Sequence, residues 1–432
     1  MIIEFALIRN MNPENQTFIV YGLGKSGQAA YNLLLKRNIN KDFIFQYDDK
    51  IASSNFETLL QKPAGVLVLS PGISIKSDGV QKLLSRGWKL TSEINLACEY
   101  LTTEKIIGIT GSVGKSTVTS LLGAAASAID PNVFVGGNLG IPFSQYALDL
   151  LAEKPKAQWV ILELSSYQLE NSERLKLDFS GITYLSANHL ERYDSLDHYY
   201  QAKFQITKQT EKVCFVNGDS ADVIKYLQQS SCPVEKTSAF DSKLQDSLKK
   251  ATLLGSHNRE NVALVLSMIA YLQWPQASIN NTLRFSGLSH RLESVGVFKN
   301  ILFINDSKAT AMESVVVATS AAEEKLKDSG KLFLLLGGRD KNLPWHELGK
   351  LKSSKSVEFI FFGECGTKAQ EKSHLSGKIY PTLSIALDHT FKELKPNDIL
   401  LLSPGGTSLD EFKNFEDRGD YFKSRVREYF GV

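Results

Sequence analysis

A glycine turn that ends in Gly-Lys-Ser-Thr stands between a predicted strand and a predicted helix. Residues 105–107 are a short apolar approach typical of a strand end, residues 108–117 form the turn, and residues 118–126 have a helical pattern. In such a turn backbone N–H groups can approach phosphate oxygens closely, and the helix N-terminus adds positive potential. The sequence therefore predicts a phosphate-binding loop in an α/β domain.

The residue types of this loop predict how it would handle a nucleotide. Lys115 would reach the β- and γ-phosphates, and Ser116 or Thr117 would hold Mg²⁺. The spacing is unusual, because Gly108 and Gly114 enclose five residues where the common phosphate-loop pattern has four. An ordinary glycine-rich turn is the alternative interpretation.

Size and composition limit the class of protein. A chain of 432 residues with 43% hydrophobic and 22% charged residues is expected to form two or three globular domains. A net charge of +2 gives no electrostatic case for nucleic acid or a membrane surface. The four cysteines form no Cys-x-x-Cys pair, which predicts neither a disulfide framework nor a zinc site and fits a reducing compartment. With no bilayer-length apolar run and no basic segment at the start, we expect a cytoplasmic protein.

The first segment has the alternation of a Rossmann-like fold. A predicted strand at 16–21 leads into Gly22-Leu23-Gly24-Lys25-Ser26-Gly27, followed by a helical pattern at 28–36 and a strand at 43–47 that ends at Asp48. That acid lies near the distance at which dinucleotide folds place a ribose-binding carboxylate. The glycines indicate either a bound diphosphate or only a close contact between helix and strand.

The second segment carries the phosphate loop and one further strong strand. Residues 159–162 are apolar and end at Glu163. An acid at the tip of a buried strand near a phosphate loop is a typical Mg²⁺ ligand, and the alternative is a solvated strand end.

The third segment contains strand-like runs at 301–304, 331–336, 358–362 and 398–402. Three of them lead into polar or glycine turns. Since open α/β sheets bind ligands at the carboxyl ends of their strands, these turns are the predicted functional rim.

The three segments predict three domains. We expect an α/β fold with a Rossmann-like N-terminal domain at residues 1–93, a central P-loop ATPase domain with a parallel-rich sheet at 94–287, and a Rossmann-like C-terminal domain at 288–432.

Five polar residues stand where an ATP site would need them, but each has a plain structural alternative. Asn138, after an apolar run, could contact phosphate or be a turn residue, and His189 could be a metal ligand or a structural histidine. Lys203 alone would be taken for a surface lysine on a helix. Asn258 and Asn261 could cap a helix, or could meet an adenine edge.

Several motifs, in order along nearly the whole chain, resemble the Mur ligase family. They are Thr110-Gly111-Ser112-x-Gly114-Lys115-Ser116-Thr117, Glu163-Leu164-Ser165-Ser166-Tyr167-Gln168-Leu169, Gly255-x-His257-Asn258-x-x-Asn261, His290-Arg291-Leu292-Glu293, Asn305-Asp306-Ser307-Lys308-Ala309-Thr310, and Ser403-Pro404 through Ser408-Leu409-Asp410 to Lys413-Asn414-Phe415-Glu416-x-Arg418-Gly419.

The resemblance implies an ATP-dependent ligase that adds D-glutamate to UDP-N-acetylmuramoyl-L-alanine through an acyl phosphate, in peptidoglycan precursor synthesis. It implies ATP and two Mg²⁺ ions as cofactors, small-molecule substrates, and no nucleic-acid or membrane partner. We also expect a monomer.

The resemblance also implies roles for individual residues. Lys115, Glu163, His189 and Lys203 would be catalytic, and the metal ligands would be Ser116, Thr117, Glu163, His189 and Lys203, the last carbamylated by CO₂. ATP would be bound by Gly111, Ser112, Gly114, Lys115, Ser116, Thr117, Asn261, Arg291 and Asp306. The UDP substrate would be bound by Gly24, Lys25, Ser26, Asp48, Asp49, Asn138 and His189, and glutamate by Lys308, Thr310, Lys341, Ser408 and Phe415.

This chain departs from the family pattern at four places. Val113 and Ala311 stand where Asn is usual, Asn188 replaces the Asp that commonly precedes His189, and Gly405-Gly406-Thr407 replaces Ala-Cys-Ala. Two of these changes border the predicted glutamate site, so the preference for D- or L-glutamate stays open.

Two other function classes compete with the ligase. An NAD(P)-dependent oxidoreductase would use Gly22–Gly27 and Asp48, but it leaves the phosphate loop without a role. A non-catalytic nucleotide-binding switch would account for the substitutions around the loop, but it does not explain the two candidate carboxylate-binding lysines, Lys308 and Lys341.

Overall fold

The computed structural model describes residues 16–51, 55–186, 193–255, 257–327, 329–353 and 356–431. The described residues form three mainly parallel sheets flanked by helices. The predicted α/β class is confirmed, with one sheet in each of the three sequence segments.

The chain divides into two compact units. The first comprises the chain up to Leu248 together with Glu260–Thr282, and it holds the first two sheets. The second comprises Lys249–Arg259 and the chain from Leu283 onward, and it holds the third sheet. The domain boundaries given from the sequence stay predictions.

The first sheet has the strand order β2-β1-β3-β4, with every pair parallel. Its strands are β1 (Phe18–Tyr21), β2 (Ile44–Tyr47), β3 (Val66–Leu69) and β4 (Lys89–Thr91). The helices of this part are α1 (Lys25–Lys36), α2 (Phe56–Leu60), α3 (Asp78–Ser85) and α4 (Glu93–Ala97).

The second sheet, also all parallel, has the order β10-β9-β8-β5-β7-β6. Its strands are β5 (Lys105–Thr110), β6 (Phe134–Gly137), β7 (Trp159–Glu163), β8 (Leu177–Ile182), β9 (Thr210–Asn217) and β10 (Val234–Thr237). The helices along this part of the chain are α5 (Lys115–Ala126), α6 (Phe143–Leu151), α7 (Ser166–Leu169), α8 (Leu196–Phe204), α9 (Ile206–Gln209), α10 (Ala221–Tyr226), α11 (Gln245–Lys250), α12 (His257–Tyr271) and α13 (Gln276–Arg284).

The third sheet has the order β11-β12-β16-β13-β14-β15, in which β11 alone pairs antiparallel. Its strands are β11 (Glu293–Phe298), β12 (Ile301–Asn305), β13 (Leu332–Gly337), β14 (Val357–Phe362), β15 (Gly377–Tyr380) and β16 (Ile399–Gly405). The helices of this part are α14 (Met312–Glu323), α15 (Gly366–Ser373), α16 (Leu383–Glu393) and α17 (Phe415–Phe430). Short 3₁₀ turns lie at Lys41–Phe43, Cys98–Tyr100, Leu227–Gln229, Ser242–Leu244 and Trp345–Ser353.

The central strands are buried on both faces, which is why they are continuous apolar runs. β3 (Val-Leu-Val-Leu), β7 (Trp-Val-Ile-Leu-Glu) and β13 (Leu-Phe-Leu-Leu-Leu-Gly) are buried at every position. Because parallel strands end at the same sheet edge, the turns that follow β5, β6 and β7 lie together. The same holds for the turns after β12, β13 and β16.

Among the described helices, none has both the length and the apolar character needed to cross a lipid bilayer.

Candidate active site

The phosphate loop has the backbone shape that its glycines predicted. Gly111 has φ +146° and Gly114 has φ +90°, and Gly114 occupies the N-cap of α5. A Cβ on Gly111 would lie 2.0 Å from Oγ1 of Thr183, which in turn donates to the Val113 carbonyl at 2.6 Å. The segment that follows β8 therefore supports the loop through Thr183.

Val113 takes part in this support through its backbone alone. It forms an isolated antiparallel bridge with Tyr184, and both side chains are about half exposed. The departure from the family pattern therefore places an apolar side chain on the surface of the loop.

Two lysines converge on one carbonyl oxygen of the loop. Nζ of Lys115 lies 2.9 Å from the Gly111 oxygen and 3.1 Å from the Ser112 oxygen. Nζ of Lys203, near the end of α8, donates to the same Gly111 oxygen at 2.8 Å. The two side-chain nitrogens are thus held at the base of the loop, close to where the phosphates of a nucleotide would lie.

Lys203 is buried, with 2% of its surface exposed, so its interpretation from the sequence alone as a surface lysine was wrong. Its Nζ lies 4.5 Å from the centroid of the Tyr199 ring. Burial, and then the charge of Lys115, lower the pKa of Lys203 well below its ordinary value, while Glu163 acts in the opposite direction. A larger share of the Lys203 amine is therefore neutral at neutral pH than for an exposed lysine.

Glu163 ends β7 with 2% of its surface exposed, so the solvated strand end is excluded. Its Oε1 accepts a hydrogen bond of 2.6 Å from Nδ2 of Asn138, and its carbonyl accepts one of 2.8 Å from the Asn138 backbone. Its buried Oε2 has no hydrogen-bond partner among the described residues. A buried carboxylate oxygen left in this state has capacity for a cation or a water molecule.

The oxygen atoms beside the phosphate loop provide part of the ligand set that a divalent cation such as Mg²⁺ requires. Glu163 supplies an unsatisfied oxygen, while Ser116 and Thr117 place hydroxyls in the first turn of α5. His189, predicted as a metal and substrate ligand, lies outside the described residues. Within the part of the chain that is described, no three His, Cys, Asp or Glu side chains gather as a metal-binding set.

Asn261 lies beside the phosphate loop, inside α12 and not at its start. α12 begins at His257, and Nδ2 of Asn258 donates to the Leu254 carbonyl, so both asparagines lie within the helix. Their capping and adenine-binding roles stay predictions. A Cβ added to Gly114 would lie 2.4 Å from Oδ1 of Asn261, so the loop and this amide are in close contact.

Gly114→Ala is expected to weaken ADP binding at least about 10-fold, because the new methyl group displaces Asn261 and strains a backbone position that favours glycine. Isothermal titration with ADP measures this loss. Gly140→Ala is the matched control, since Gly140 also has a positive φ, of +65°, but no atom within 4 Å of an added Cβ. Equal affinities of Gly114→Ala and the parent protein for ADP would contradict the close contact between Gly114 and Asn261.

The first glycine turn is tied to the acid that follows β2. The Asp48 carboxylate accepts hydrogen bonds from the backbone N–H of Leu23 at 2.7 Å and of Lys50 at 3.0 Å, which lower the pKa of Asp48. Asp49 accepts 3.0 Å hydrogen bonds from the hydroxyls of Tyr21 and Tyr47. Asp48 and Asp49, both predicted to bind the UDP substrate, thus have hydrogen-bond partners within the first unit.

The other predicted UDP-site residues lie at the start of α1. Gly24 is its N-cap and leaves open space for an added Cβ, whereas a Cβ on Gly27 would lie 1.9 Å from the Gly22 oxygen. Gly27 therefore provides the close helix–strand contact, and Gly24, Lys25 and Ser26 remain at the accessible end of the turn.

In the second unit, three turns at one sheet edge are joined by backbone hydrogen bonds. The Gly405 N–H donates to the Ala309 carbonyl at 3.0 Å, and Arg339 and Thr407 exchange hydrogen bonds of 2.8 and 2.9 Å. The turns after β12, β13 and β16 therefore form one continuous rim, which holds four of the residues predicted to bind glutamate. These are Lys308, Thr310, Lys341 and Ser408.

The rim presents two exposed lysines and an aromatic side chain. Lys308 and Lys341 are exposed, Ser408 is buried, and Nζ of Lys308 lies 5.3 Å from the centroid of the Phe415 ring. Two cations on one rim offer charge complementarity to a small dicarboxylate.

Asp306 is buried next to this rim. Its carboxylate accepts hydrogen bonds from the Ser403 hydroxyl at 2.8 Å and from the Leu292 N–H at 3.1 Å. Burial raises the pKa of Asp306 to about 7, although these two hydrogen bonds and the charge of Arg291 act in the opposite direction.

The unfolding stability of the second unit is expected to fall as pH rises from about 4 to about 7. In that window the native state keeps a proton on Asp306 that the unfolded state has lost, and above about pH 7 the effect is constant. A shift of about three pKa units at about 1.4 kcal/mol per unit gives an effect of the order of 4 kcal/mol.

Asp306→Asn should therefore melt at a higher temperature than the parent protein at pH 8, with the difference shrinking towards pH 5. Differential scanning calorimetry from pH 5 to 8 measures this. Ser403→Ala, which removes a hydrogen bond that favours the charged form, should extend the sloping region upward in pH. Parallel curves for Asp306→Asn and the parent protein would contradict the raised pKa.

Sequence reasoning gave no role to two residues that the structure places at these sites. Arg418 lies in the Lys-Asn-Phe-Glu-x-Arg-Gly run, is fully buried, and bonds backbone oxygens of two rim turns. Its presence in that motif was the available signal. Tyr199, packed against Lys203, carried no signal in a single sequence.

A cavity of about 720 Å³ lies elsewhere in the first unit. Residues lining it include Ile75, Lys76, Glu170, Tyr193 and His198. None of the residues predicted to bind substrate or nucleotide lines it.

The chain is similar to known proteins along nearly its whole length. The sequence pattern of the Mur ligase middle domain matches residues 109–270, the stretch that holds the phosphate loop, Glu163 and Lys203. A UDP-N-acetylmuramoylalanine–D-glutamate ligase of Vibrio cholerae is 32% identical over 96% of this chain and 98% of that protein. A protein with the same name from Haemophilus influenzae is 33% identical over 95% and 97%. The chain belongs to the Mur ligase family.

Solved structures with low sequence identity share the fold. The MurF ligase from Thermotoga maritima, solved in complex with ADP, aligns with a TM-score of 0.57 over 85% of this chain and 96% of that one, at 15% identity. The UDP-N-acetylmuramate–alanine ligase MurC from the same organism aligns with a TM-score of 0.55 over 96% and 100%, also at 15% identity.

Proposed function

We propose that this protein is an ATP-dependent ligase that joins D-glutamate to UDP-N-acetylmuramoyl-L-alanine in peptidoglycan precursor synthesis. The near-full-length similarity to proteins named for this reaction carries the proposal. The convergence of Lys115 and Lys203 on the phosphate loop, with Glu163 nearby, supports the ATP-dependent half of the reaction.

The chemistry solves the problem that a carboxylate is a poor electrophile. Transfer of the γ-phosphoryl group of ATP to the alanyl carboxylate gives an acyl phosphate and ADP. The glutamate amine then attacks the acyl carbon, an amide bond forms, and inorganic phosphate leaves with the electron pair of the broken C–O bond. Phosphoryl transfer of this kind depends mainly on positioning and on electrostatic stabilisation.

The phosphate loop would supply the positioning. The N-terminus of α5 and the loop N–H groups would hold the β- and γ-phosphates, and Lys115 would exchange its carbonyl contacts for phosphate oxygens. Asn261 would meet the adenine, and Arg291 and Asp306 the phosphate and ribose.

Mg²⁺ would be held by Ser116, Thr117, Glu163, His189 and Lys203, and it would neutralise charge on the transferring phosphoryl group. The unsatisfied Oε2 of Glu163 supports this assignment. The second site would lie at His189 and Lys203, and Asn138 would orient Glu163 towards the metal.

We further propose that Lys203 is carbamylated. The nucleophile in carbamylation is the neutral amine, and burial beside Lys115 favours that form of Lys203. The product is an anion where the unmodified residue would be a cation, which suits a metal ligand.

The substrates would be bound by the turns already described. The UDP part would lie on Gly24, Lys25 and Ser26, with Asp48 and Asp49 nearby. Glutamate would be held by Lys308, Thr310, Lys341, Ser408 and Phe415, where two lysines match two carboxylates. Because ATP is a substrate, we place the enzyme in the cytoplasm, and we expect a monomer.

A phosphate-release assay tests the proposal. With ATP, Mg²⁺ and UDP-N-acetylmuramoyl-L-alanine, phosphate release should require D-glutamate, and L-glutamate should support little of it. Release with neither enantiomer would refute the ligase. Preference for L-glutamate would leave the ligase standing and assign the changed specificity to Ala311 and Gly405-Gly406-Thr407.

A further inference from the structure

Two cysteines meet at the edge of the second sheet. Cys214 lies on β9, is fully buried, and stands opposite Val234 of the edge strand β10. Its N–H donates to the Pro233 carbonyl at 2.9 Å, so Cys232, the preceding residue, lies beside it in a half-buried position. The two side chains are close enough to affect each other's ionisation.

The surroundings make the two sulfur atoms chemically different. The neighbouring Cys214 side chain and the Ser230 hydroxyl lower the pKa of Cys232, while its partial burial acts in the opposite direction. The neighbouring Cys232 side chain, together with burial, raises the pKa of Cys214. Cys232 is thus the more accessible and more readily ionised thiol, and Cys214 is the buried thiol beside it, which is the arrangement of an attacking and a resolving cysteine.

The other two cysteines lack these properties. Burial is the main cause that raises the pKa of Cys98 to about 12, and it raises the pKa of Cys365 to the same value. They serve as internal controls for reactivity.

We propose that Cys214 and Cys232 form a reversible disulfide by exchange with a small-molecule disulfide such as oxidised glutathione. The Cys232 thiolate attacks one sulfur of that molecule, a mixed disulfide forms, and one glutathione thiolate leaves. Cys214, after losing its proton to solvent, attacks the Cys232 sulfur and releases the second glutathione. Two protein thiols are oxidised and one glutathione disulfide is reduced to two thiols.

The disulfide would act on the helix that follows Lys203. A disulfide sets its two sulfur atoms about 2.05 Å apart, closer than two unbonded sulfur atoms can approach, so the segment around Cys232 must move towards β9. The neighbouring Ser231 N–H is bonded to the Thr207 hydroxyl at 3.1 Å. Thr207 lies on α9, about one helical turn past Lys203, so the movement would be transmitted towards the catalytic lysine.

The test treats the whole protein with oxidised glutathione and maps its peptides by mass spectrometry. We expect a single Cys214–Cys232 link with the loss of two hydrogen atoms, Cys98 and Cys365 still free, and ligase turnover lowered several-fold until dithiothreitol is added. Cys232→Ser should form neither link nor adduct and should keep its rate. Cys214→Ser should stop with one glutathione on Cys232.

Two results would overturn the proposal. A Cys232 thiol that stays free in excess oxidised glutathione would remove the modification site. An oxidised protein that carries the link and keeps its full turnover would remove the connection to Lys203. If Cys214→Ser does not fold, rapid quenching of the parent protein should still trap the mixed disulfide on Cys232 before the link forms.

Discussion

Lys203→Ala is expected to lower ligase turnover by about 100-fold or more, the loss typical when a preorganised charge is removed from a transfer site. Lys203 is buried at the base of the phosphate loop and within the influence of Lys115 and Glu163. Removing its side chain deletes both the hydrogen bond to Gly111 and, if the residue is carbamylated, an anionic metal ligand.

The measurement is phosphate release at saturating ATP, with kcat and KM determined separately. Loss of a contact made in the transition state lowers kcat, whereas loss of simple substrate binding raises KM. Lys208→Ala is the matched control, because Lys208 lies on the next helix with an exposed side chain. It should keep its turnover.

Chemical rescue separates the carbamate from a purely structural role. A short carboxylic acid such as acetate should restore part of the turnover of Lys203→Ala, because it can place a carboxylate in the vacated space. Bicarbonate should stimulate the parent protein and leave the variant unchanged. Near-normal turnover of Lys203→Ala would refute a catalytic role for Lys203. If Lys203→Ala keeps the parent melting temperature but is not rescued by acetate, the carbamylation of Lys203 is refuted and its catalytic role stands.

Local sequence signals predicted the elements that position the site. The runs that became β7 and β13 are apolar throughout and end in glycine or an acid, because both faces of a central parallel strand are covered. The phosphate loop was predictable for a similar reason, since Gly111 and Gly114 are required by backbone angles that other residues rarely adopt.

Three edge strands, β4, β10 and β15, were not predicted, for the opposite reason. All three are short, and β10 (Val-Glu-Lys-Thr) and β15 (Gly-Lys-Ile-Tyr) have mostly exposed or half-exposed side chains. Such segments pair because a neighbouring strand is available, and their own composition carries little signal.

Burial and long-range contact cannot be seen in one sequence. Lys203 follows a helical pattern that fits an exposed lysine equally well, and its burial becomes visible only when its helix is placed beside the phosphate loop. Cys214 and Cys232 are separated by a helical crossover between two parallel strands, so their spacing gives no indication of contact. Family resemblance identified Lys203, whereas the thiol pair required the structure.

Replacement of Arg418 is expected to have the second large effect, on the second unit. Its guanidinium is fully buried and hydrogen-bonds the Ser307 hydroxyl at 3.0 Å, the Ser307 carbonyl at 2.8 Å and the Gly406 carbonyl at 3.2 Å. Ser307 in turn donates to the Phe415 carbonyl at 2.8 Å. One side chain therefore ties together two rim turns and the start of α17.

None of these hydrogen bonds joins the Arg418 guanidinium to a carboxylate. Burial lowers the pKa of Arg418 to about 10, and the more distant charges of Asp410 and Glu411 partly offset that effect. The group remains a cation at neutral pH, and it stabilises the rim through the geometry of its planar fork.

Arg418→Met should lower the unfolding free energy of the second unit by about 2–5 kcal/mol, because the buried oxygens of Ser307 and Gly406 lose their donors. Arg418→Lys keeps the charge but cannot span both turns, so it should fold, raise the KM for glutamate at least about 10-fold, and change kcat less. Calorimetry and steady-state kinetics measure the two effects.

Arg425 on the same helix is the control for both substitutions. It pairs with Asp388 at the surface, so Arg425→Met should cost about 1 kcal/mol or less and leave the KM for glutamate unchanged. An Arg418→Lys protein with the parent KM would show that the two turns keep their places without the guanidinium fork. Because Lys308 and Ser408 lie on those turns, a raised KM confined to glutamate would instead connect the buried arginine to the amino-acid site.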